Sequence, residues 1–221
     1  EFAQLLYKIQ EVPVKDLTQQ DIISYLLYCH TELKLSENQI HSRINAIKFY
    51  FEQVLNQARM FFDIPRPKKP LLLPKALNQD EIKRIFDVTQ NLKHKLILKL
   101  AYGMGLRVSE IVNLKIEHID SYNMQVLIAC AKGKKDRYVN LPGSVLEEMR
   151  EYYKIYKPKT FLFEGLYNQQ YSTRSAQSVF KTAMKKAHVN KTIGIHGLRH
   201  SYATHLLQQG TDIRYIKELM G

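Results

Sequence analysis

The stretch HGLRHSYATHLLQQG, which begins at residue 196, gathers three basic or titratable side chains at the start of a predicted helix. His196 and Arg199 are three residues apart, a spacing that places both side chains on one helical face, and His200 follows directly. Neighbouring cations repel one another, so this cluster favours a metal ion or a polyanion as its partner. The buried side of the helix is predicted to consist of Leu198, Tyr202, Ala203, Leu206 and Leu207.

A metal site is the weaker of these two interpretations. His196 and His200 have the i, i+4 spacing of a zinc pair, but the zinc-peptidase pattern requires a Glu after the first His, and Gly197 stands there. The guanidinium of Arg199 would also repel a dication. We therefore predict no metal. For this segment taken alone, a hydrogen-bonded core histidine beside a salt-bridged Arg199 stays open as a purely structural alternative.

Two further segments carry residues suited to binding a phosphate. In AYGMGLRVSEIVNL, Arg107 follows a helix end broken by glycines, and Glu110 lies one helical turn later, where it can orient the guanidinium. In CAKGKKDRYVNLP, Lys132 is predicted at the tip of a β-hairpin, closely followed by Lys134, Lys135 and Arg137. Two arginines, one lysine and one histidine could therefore converge on a single phosphate.

The glycine patterns do not predict a nucleotide cofactor. GMGLRV lacks the third glycine of a dinucleotide-binding loop and does not follow a predicted strand. KGKKD is not a P-loop, because the pattern GxxxxGK[ST] is absent from the sequence. We predict that the protein uses no cofactor of this kind.

The charge of the chain independently predicts an acidic partner. Its 221 residues carry a formal net charge of +12, with −2 over residues 1–64 and +14 over residues 65–221. This excess indicates a nucleic acid or an anionic membrane surface. No run of eighteen apolar residues, signal-like start or basic amphipathic helix favours the membrane. Cys29 and Cys130 fit no metal spacing and indicate reduced thiols in a cytoplasmic protein.

A proline-rich segment divides the sequence into two predicted domains. Four of the seven prolines fall in PRPKKPLLLPK, residues 65–75, which we interpret as a linker, with a structured surface loop as the alternative. Residues 1–64 predict a small helical domain with a short helix near residues 2–9, a helix after Thr18, and a longer helix after a Ser36–Gln39 capping box. The longer helix has an apolar stripe of Ile40, Ile44, Ile47, Phe51, Val54, Leu55 and Ala58.

Residues 76–221 predict a second domain that is mainly helical around a small antiparallel sheet. A capping pattern at Asn78 and Glu81 precedes one helix, and a second helix runs from Leu92 to Leu100. Residues 126–131 and 138–141 read as a hairpin with a basic turn, and residues 144–156 and 173–188 as helices. The predicted fold class is therefore mainly α with a small antiparallel β-sheet.

Three of these segments together resemble a known family. GLRVSE, AKGKKDR and HGLRHSYATHLL, in this order, resemble the motif blocks of the tyrosine recombinase (phage integrase) family, and are most similar to its bacterial Xer type. Residues 1–64 resemble its helical core-binding (SAM-like) domain, 65–75 its linker and 76–221 its catalytic domain. The resemblance implies a site-specific recombinase that cuts and rejoins double-stranded DNA through a 3′-phosphotyrosyl intermediate, without metal or ATP.

The resemblance also implies a role for each motif residue. Arg107 and Arg199 would stabilise the charge that develops on the scissile phosphate, and Lys132 would protonate the leaving 5′ oxygen. His196 would hydrogen-bond the phosphate or handle the tyrosine proton. Glu110 and His200 would support these four catalytic residues.

Other residues are predicted to contact DNA outside this catalytic set. Thr173 and Arg174 begin a predicted helix whose N-terminus could bind phosphate. For a single basic residue on a helix surface, ordinary solvation is the alternative. The full set of predicted contacts is Arg43, Lys48, Lys134, Lys135, Arg137, Thr173 and Arg174.

The family places its nucleophilic tyrosine shortly after an LLGH motif, and the corresponding segment here, DIRYIKELMG, ends at Gly221. Neither Tyr202 nor Tyr215 is expected to replace that tyrosine, so this chain is expected to bind DNA without cleaving it. Family members form tetramers on two DNA sites by exchanging a C-terminal helix. The 221-residue chain alone is therefore expected to be monomeric in solution.

Two alternatives stay open from the sequence. A type IB topoisomerase shares the arginine, lysine and histidine set but acts alone, and the helical N-terminal domain and the GLRVSE block favour the recombinase. A non-catalytic DNA-binding protein could also retain the same scaffold.

Overall fold

The computed structural model describes residues 16–56, 76–129 and 136–221. Contacts within the chain divide it into two compact units, Glu1–Leu72 and Leu73–Gly221. The predicted helix at residues 2–9, the predicted linker at 65–75, and Ala58 lie outside the described residues. The predicted hairpin tip, with Cys130, Lys132, Lys134 and Lys135, lies outside them as well.

The described part of the first unit contains two α-helices whose starts follow from local hydrogen bonding. Helix α1 spans Gln19–Thr31, and Thr18 caps it: Asp21 accepts from the Thr18 backbone N–H at 2.8 Å, while Thr18 Oγ1 accepts from the Asp21 N–H at 3.3 Å. Helix α2 spans Glu37–Phe49, and Gln39 Oε1 accepts from the Ser36 backbone N–H at 2.9 Å. Both predicted helices of this region are confirmed.

The apolar stripe of α2 is buried as predicted except near its end. Ile40, Ile44, Ile47 and Phe51 pack with residues of α1, including Cys29, in a separate small core. Val54, predicted to lie on the same stripe, is instead 56% exposed. The cause is a π-helical turn at Tyr50–Val54, because each π turn takes more residues than an α turn and shifts the register of the stripe.

The second unit is mainly helical around a small antiparallel sheet, as the sequence predicted, and the sheet has three strands in the described residues. Strand β2, Gln125–Ile128, and strand β3, Arg137–Asn140, pair in the register Val126 with Val139 and Ile128 with Arg137. Strand β1 pairs with β2 and was missed from the sequence, because two residues are too few to show a periodicity. The elements in chain order are α3 Gln79–Asp87, α4 Leu92–Gly103, α5 Val108–Asn113, β1 Ile119–Asp120, β2 Gln125–Ile128, β3 Arg137–Asn140, α6 Gly143–Tyr156, α7 Thr173–Lys186, α8 His196–Gln208 and α9 Ile213–Met220.

Helix α4 is the centre of the second unit. Leu96, Ile97, Leu98 and Leu100 are all fully buried, so the helix is covered on several sides rather than on one stripe. It packs against α6, α7 and α8. The residues that follow its C-terminal end, Gly105 to Arg107, are therefore held on a rigid support.

Within the described part of the chain, no helix combines the length and the apolar character that crossing a bilayer requires.

Helix α8 buries a different face from the one predicted. Leu198 is fully buried, but Leu207 is 53% exposed, while Arg199, Ser201 and His205 are buried. The prediction that Leu207 lies on the buried side was wrong. Arg199, Ser201 and His205 can be buried because each has a hydrogen-bond partner within the second unit. These hydrogen bonds offset the free-energy cost of removing the polar groups from water.

Ser201 joins α8 to the start of the second unit. Its hydroxyl donates to the Gly197 carbonyl at 2.7 Å and accepts from the Leu77 backbone N–H at 2.7 Å, entirely out of solvent. A nearby hydroxyl, Thr204 Oγ1, also donates to the carbonyl four residues earlier, that of His200, at 2.9 Å. Ser201 therefore differs from Thr204 in satisfying a buried N–H of another segment.

We expect Ser201→Ala to lower the free energy of unfolding of the second unit by about 1–3 kcal/mol, because the Leu77 N–H would stay buried without an acceptor. Thr204→Val is the matched control, since it removes a hydroxyl that bonds only within its own helix. Urea denaturation followed by circular dichroism measures both variants. Equal losses in the two would show that the bond to Leu77 contributes nothing.

Candidate functional site

A buried carboxylate, that of Glu110, lies at the centre of the candidate site. Arg107 Nη1 donates to its Oε1 at 2.7 Å, and Arg137 donates to both oxygens, Nη1 to Oε1 and Nη2 to Oε2, at 2.9 Å each. Arg199 Nη1 lies 3.8 Å from Oε2. Three arginines from three separate parts of the sequence therefore surround one acidic side chain.

Local structure at the start of α5 explains how Arg107 and Glu110 are paired. Arg107 occupies the N-cap position and Glu110 is the third helical residue, so the carboxylate Oε2 also accepts the Arg107 backbone N–H at 2.8 Å. The same spacing lets the carboxylate hold both the main chain and the guanidinium of Arg107. The predicted orienting role of Glu110 has this geometric basis.

Gly105 fixes the position of Arg199. Its carbonyl accepts from Arg199 Nη1 at 2.5 Å, and its φ of +60° lies in the left-handed region that favours glycine. A Cβ at this position would lie 2.7 Å from Cδ1 of Tyr202, which is too close for a non-bonded contact. The glycine thus lets the main chain approach α8 closely enough to bind the buried arginine.

Arg107 and Arg199 direct further donors toward the same place. Arg107 Nη2 donates to the carbonyl of Gly221, and Arg199 Nη2 donates to the carbonyl of Met220. These acceptors belong to consecutive residues, whose Cα atoms are about 3.8 Å apart. The two guanidiniums therefore direct donors toward carbonyls of neighbouring residues, so they lie close to one another at the site.

The electrostatics of the site keep its charges in place. Burial alone would raise the pKa of Glu110, but hydrogen bonds from Arg137 and Arg107 outweigh it, so the pKa is lowered and the carboxylate stays ionised. Burial, followed by the neighbouring Arg107, lowers the pKa of Arg199 to about 10, which leaves it protonated at neutral pH. Three guanidiniums against one carboxylate leave a site that attracts an anion.

His196 and His200 stand in the first turn of α8, and both are exposed. Partial burial and then the charge of Arg199 lower the pKa of His196, with smaller contributions from His200 and Arg107. Its imidazole is therefore neutral at physiological pH and can accept a proton.

The other residues predicted to act at the site or on DNA are placed as follows. Thr173 and Arg174 are exposed in the first turn of α7. In the first unit, Arg43 Nε donates to the Tyr25 hydroxyl at 3.2 Å, and Lys48 is half-buried near the end of α2. Lys132, Lys134 and Lys135 lie outside the described residues.

The sequence did not reveal a group of contacts among Tyr102, Tyr202 and His205, which lies next to Gly105. The Tyr102 hydroxyl and Nδ1 of the buried His205 are 2.9 Å apart, and the ring of Tyr102 packs edge-on against both His205 and Tyr202. These contacts join α4 to α8 on the side of Gly105. No spacing rule could have found this pair, because its members are 103 residues apart.

Among the described residues, no three His, Cys, Asp or Glu side chains gather closely enough to hold a metal ion.

A helical unit, a second unit built around a small sheet, and two arginines next to a neutral histidine are consistent with a class of enzymes that act on phosphodiesters. Comparison with known proteins identifies the family. The Phage integrase family matches residues 75–221, and the phage integrase N-terminal SAM-like domain matches residues 2–59. The chain belongs to the phage integrase family and is a tyrosine recombinase, an enzyme that breaks and rejoins DNA.

Individual relatives agree with this assignment. The Sinorhizobium fredii protein y4qK, which carries an integrase/recombinase name, is 40% identical over 210 residues, which cover 93% of this chain and 67% of the relative. Tyrosine recombinase XerA of Pyrococcus horikoshii is 40% identical over 185 residues, 80% of this chain and 63% of that protein.

Solved structures show the same fold. The crystal structure of XerA recombinase matches with a TM-score of 0.62 and 25% identity, covering 98% of this chain and 79% of that one. The Tn1549 transposon integrase matches with a TM-score of 0.81 and 18% identity, covering 99% of this chain and 82% of that one.

We expect Glu110→Gln to lower the free energy of unfolding by about 3 kcal/mol near neutral pH, because it removes the charge that three guanidiniums share in a buried place. Because folding lowers the pKa of Glu110, the charged carboxylate contributes its full stabilisation above pH 4.5, the ordinary Glu value. This stabilisation is lost as the pH falls through the pKa that Glu110 has in the folded protein. The difference between wild type and variant should therefore narrow on acidification, as urea denaturation at several pH values would show.

The matched control for that series is Glu151→Gln, since Glu151 is an exposed carboxylate on α6. It should change the unfolding free energy little at any pH. A Glu110→Gln difference that stays constant below pH 4.5 would contradict the ionised, arginine-bound carboxylate.

Proposed function

We propose that this protein is a site-specific recombinase that cleaves double-stranded DNA through a 3′-phosphotyrosyl intermediate and rejoins it. The observation that supports the proposal most directly is the convergence of Arg107 and Arg199. Both guanidiniums are held from behind, by Glu110 and by the Gly105 carbonyl, and both direct a donor toward adjacent oxygen atoms.

The two arginines would stabilise the transition state of phosphoryl transfer. Attack on the phosphorus gathers negative charge on the non-bridging oxygens, and fixed guanidinium donors bind that charge without needing to reorient. By analogy with oxyanion holes, each such contact supplies about a hundredfold to a thousandfold in rate. Because Arg199 is buried, its charge is also screened less by water than that of a surface arginine would be.

Proton transfers would fall to His196 and Lys132. His196 is exposed and neutral beside Arg199, so it can hydrogen-bond the phosphate or receive the proton of the attacking tyrosine hydroxyl. We propose that Lys132 protonates the departing 5′ oxygen, as the motif position implies. The covalent phosphotyrosyl bond then conserves the energy of the phosphodiester, and the free 5′ hydroxyl can attack it to rejoin a strand.

Two tyrosines near the site are poorly suited to be the nucleophile. Tyr202 packs against Gly105, and burial raises its pKa, which disfavours the phenolate that must attack. Tyr215 is half-exposed on α9. We propose that neither tyrosine forms the covalent bond in this protein.

We propose double-stranded DNA as the partner and a tetramer on two DNA sites as the active assembly. Among proteins of this fold, the Tn1549 integrase has been solved with circular intermediate DNA, and lambda integrase as a tetramer bound to a Holliday junction. The net charge of +12 is consistent with a DNA partner. We further propose that the protein is cytoplasmic and that the 221-residue chain alone is monomeric in solution, which analytical ultracentrifugation would test.

We expect Arg199→Ala in the full-length gene product to lower the rate of covalent adduct formation on nicked suicide DNA by about a hundredfold or more, with a modest loss of DNA affinity. Arg150→Ala, an exposed arginine on α6, is the control and should leave the rate unchanged. Because Arg199 is buried, thermal melting should accompany the assay, and Arg107→Lys provides a second variant at a more exposed position.

The outcome separates the proposed function from its alternatives. Wild type that forms no adduct on any site would indicate a non-catalytic DNA-binding protein. An adduct without strand exchange between two sites would indicate a topoisomerase-like enzyme. An Arg199→Ala variant that cleaves at the wild-type rate would contradict the role assigned to this arginine.

We expect Lys134→Ala or Lys135→Ala to reduce the slope of log affinity against log salt concentration by about one, if the lysine neutralises a DNA phosphate. DNA binding by fluorescence anisotropy over a range of salt concentrations measures the slope. Lys185→Ala, at the far end of α7 from Thr173, is the control. A slope equal to that of wild type would show that the tested lysine neutralises no DNA phosphate and is an ordinary solvated surface residue.

A further inference from the structure

We propose that Arg137 is a positioning residue of the active site, which saturates the Glu110 carboxylate and thereby keeps Arg199 available for the DNA phosphate. The inference rests on the proposed function for its consequence in catalysis. It replaces the sequence prediction that Arg137 contacts DNA. Its basis is the way in which donors are distributed over the two oxygens of Glu110.

Each oxygen of Glu110 accepts two hydrogen bonds from Arg107 and Arg137. Oε1 accepts from Nη1 of each arginine, and Oε2 accepts from the Arg107 backbone N–H and from Arg137 Nη2, all within 2.9 Å. A carboxylate offers about four lone-pair positions, so these four donors fill it. Arg199 Nη1 stays at 3.8 Å from Oε2, beyond hydrogen-bond distance, and donates to the Gly105 carbonyl instead.

Without Arg137, two lone-pair positions of a buried carboxylate would be empty. Apart from Arg107, which is already bound, the nearest cation among the described residues is Arg199, which would have to move its Nη1 by only about 1 Å to make a normal hydrogen bond. A buried unpaired lone pair is costly, so we expect Arg199 to make this move and to turn its other donors away from the phosphate position. Arg137 therefore acts by filling hydrogen-bond positions of Glu110 that would otherwise draw Arg199 away from the phosphate.

Arg137 is poorly placed for a direct contact with DNA. Its side chain is 12% exposed, and both of its terminal nitrogens are bound to Glu110. Its Nε is buried and has no hydrogen-bond partner among the described residues. A guanidinium in this position adds positive charge to the site but presents little of its donor surface to solvent.

The position of Arg137 in the sheet gives this bond a second effect. Arg137 is the first residue of β3 and pairs with Ile128, the last residue of β2. The pair with Glu110 therefore fixes the strand end that directly follows the segment containing Lys132. The ion pair between Arg137 and Glu110 therefore links the start of α5, where Arg107 lies, to the start of β3.

The test compares Arg137→Gln and Arg137→Lys with wild type, in the full-length gene product. We expect the salt slope of DNA binding to be unchanged and single-turnover cleavage of suicide DNA to slow by about tenfold to a hundredfold in Arg137→Gln, because the phosphate donors are misplaced by about 1 Å. Arg137→Lys should retain part of the rate lost in Arg137→Gln, because its ammonium can still donate to the Glu110 carboxylate. Arg150→Gln is the matched control for loss of an arginine charge.

A crystal structure of Arg137→Gln provides a readout that does not depend on activity. We expect Arg199 Nη1 to approach Glu110 to about 3 Å. A distance unchanged from 3.8 Å would overturn the proposal even if wild type proved inactive, whereas the absence of any wild-type adduct would overturn only the proposed function. A salt slope reduced by about one with normal cleavage would show that Arg137 contacts DNA after all. An Arg137→Lys variant as slow as Arg137→Gln would also overturn the positioning role.

Discussion

The site depends on one buried carboxylate shared by several guanidiniums. Like charges packed together in a protein interior repel, and each loses its hydration, so a group of arginines is stable there only if an anion compensates it. Glu110 supplies that anion, and its single negative charge leaves the cluster with a net positive charge. The residual charge is what a phosphate would neutralise. The carboxylate therefore makes the cluster stable in the folded protein without cancelling its affinity for DNA.

The fold serves this site by making its supports rigid. Helix α4 is buried on several sides, and the chain leaves it through Gly105, whose left-handed conformation brings a carbonyl against Arg199. Tyr202 fills the space where a side chain at Gly105 would stand, and the Tyr102–His205 contact holds α4 and α8 together behind it. Arg107 and Arg199 are thus held by the Glu110 carboxylate, by main-chain carbonyls and by buried helices, which leaves their guanidiniums little conformational freedom.

Sequence patterns identified the fold class and the family, and they predicted the arginine pair that the structure places together, because each leaves a local signal. The N-cap spacing of Arg107 and Glu110 and the helical spacing of His196 and Arg199 are both visible within a few residues. The partner of Arg137 was not visible, since a basic residue after a turn has the same pattern whether it faces phosphate or a carboxylate 27 residues away. The burial of Arg199 in place of Leu207 was missed for the same reason: apolar periodicity does not record hydrogen bonds to distant carbonyls.

The bond between Ser201 and Leu77 has a mechanical consequence. Leu77 is among the first described residues of the second unit, and beside it Lys191 donates to the Ala76 carbonyl at 2.9 Å and pairs with Glu81 at 2.7 Å. The chain entering this unit is therefore fastened to α8 and to the segment that precedes it. A pull on the backbone at Ala76 and Leu77 would therefore reach the helix that bears His196 and Arg199 through the Ser201 hydroxyl, and the segment before that helix through Lys191.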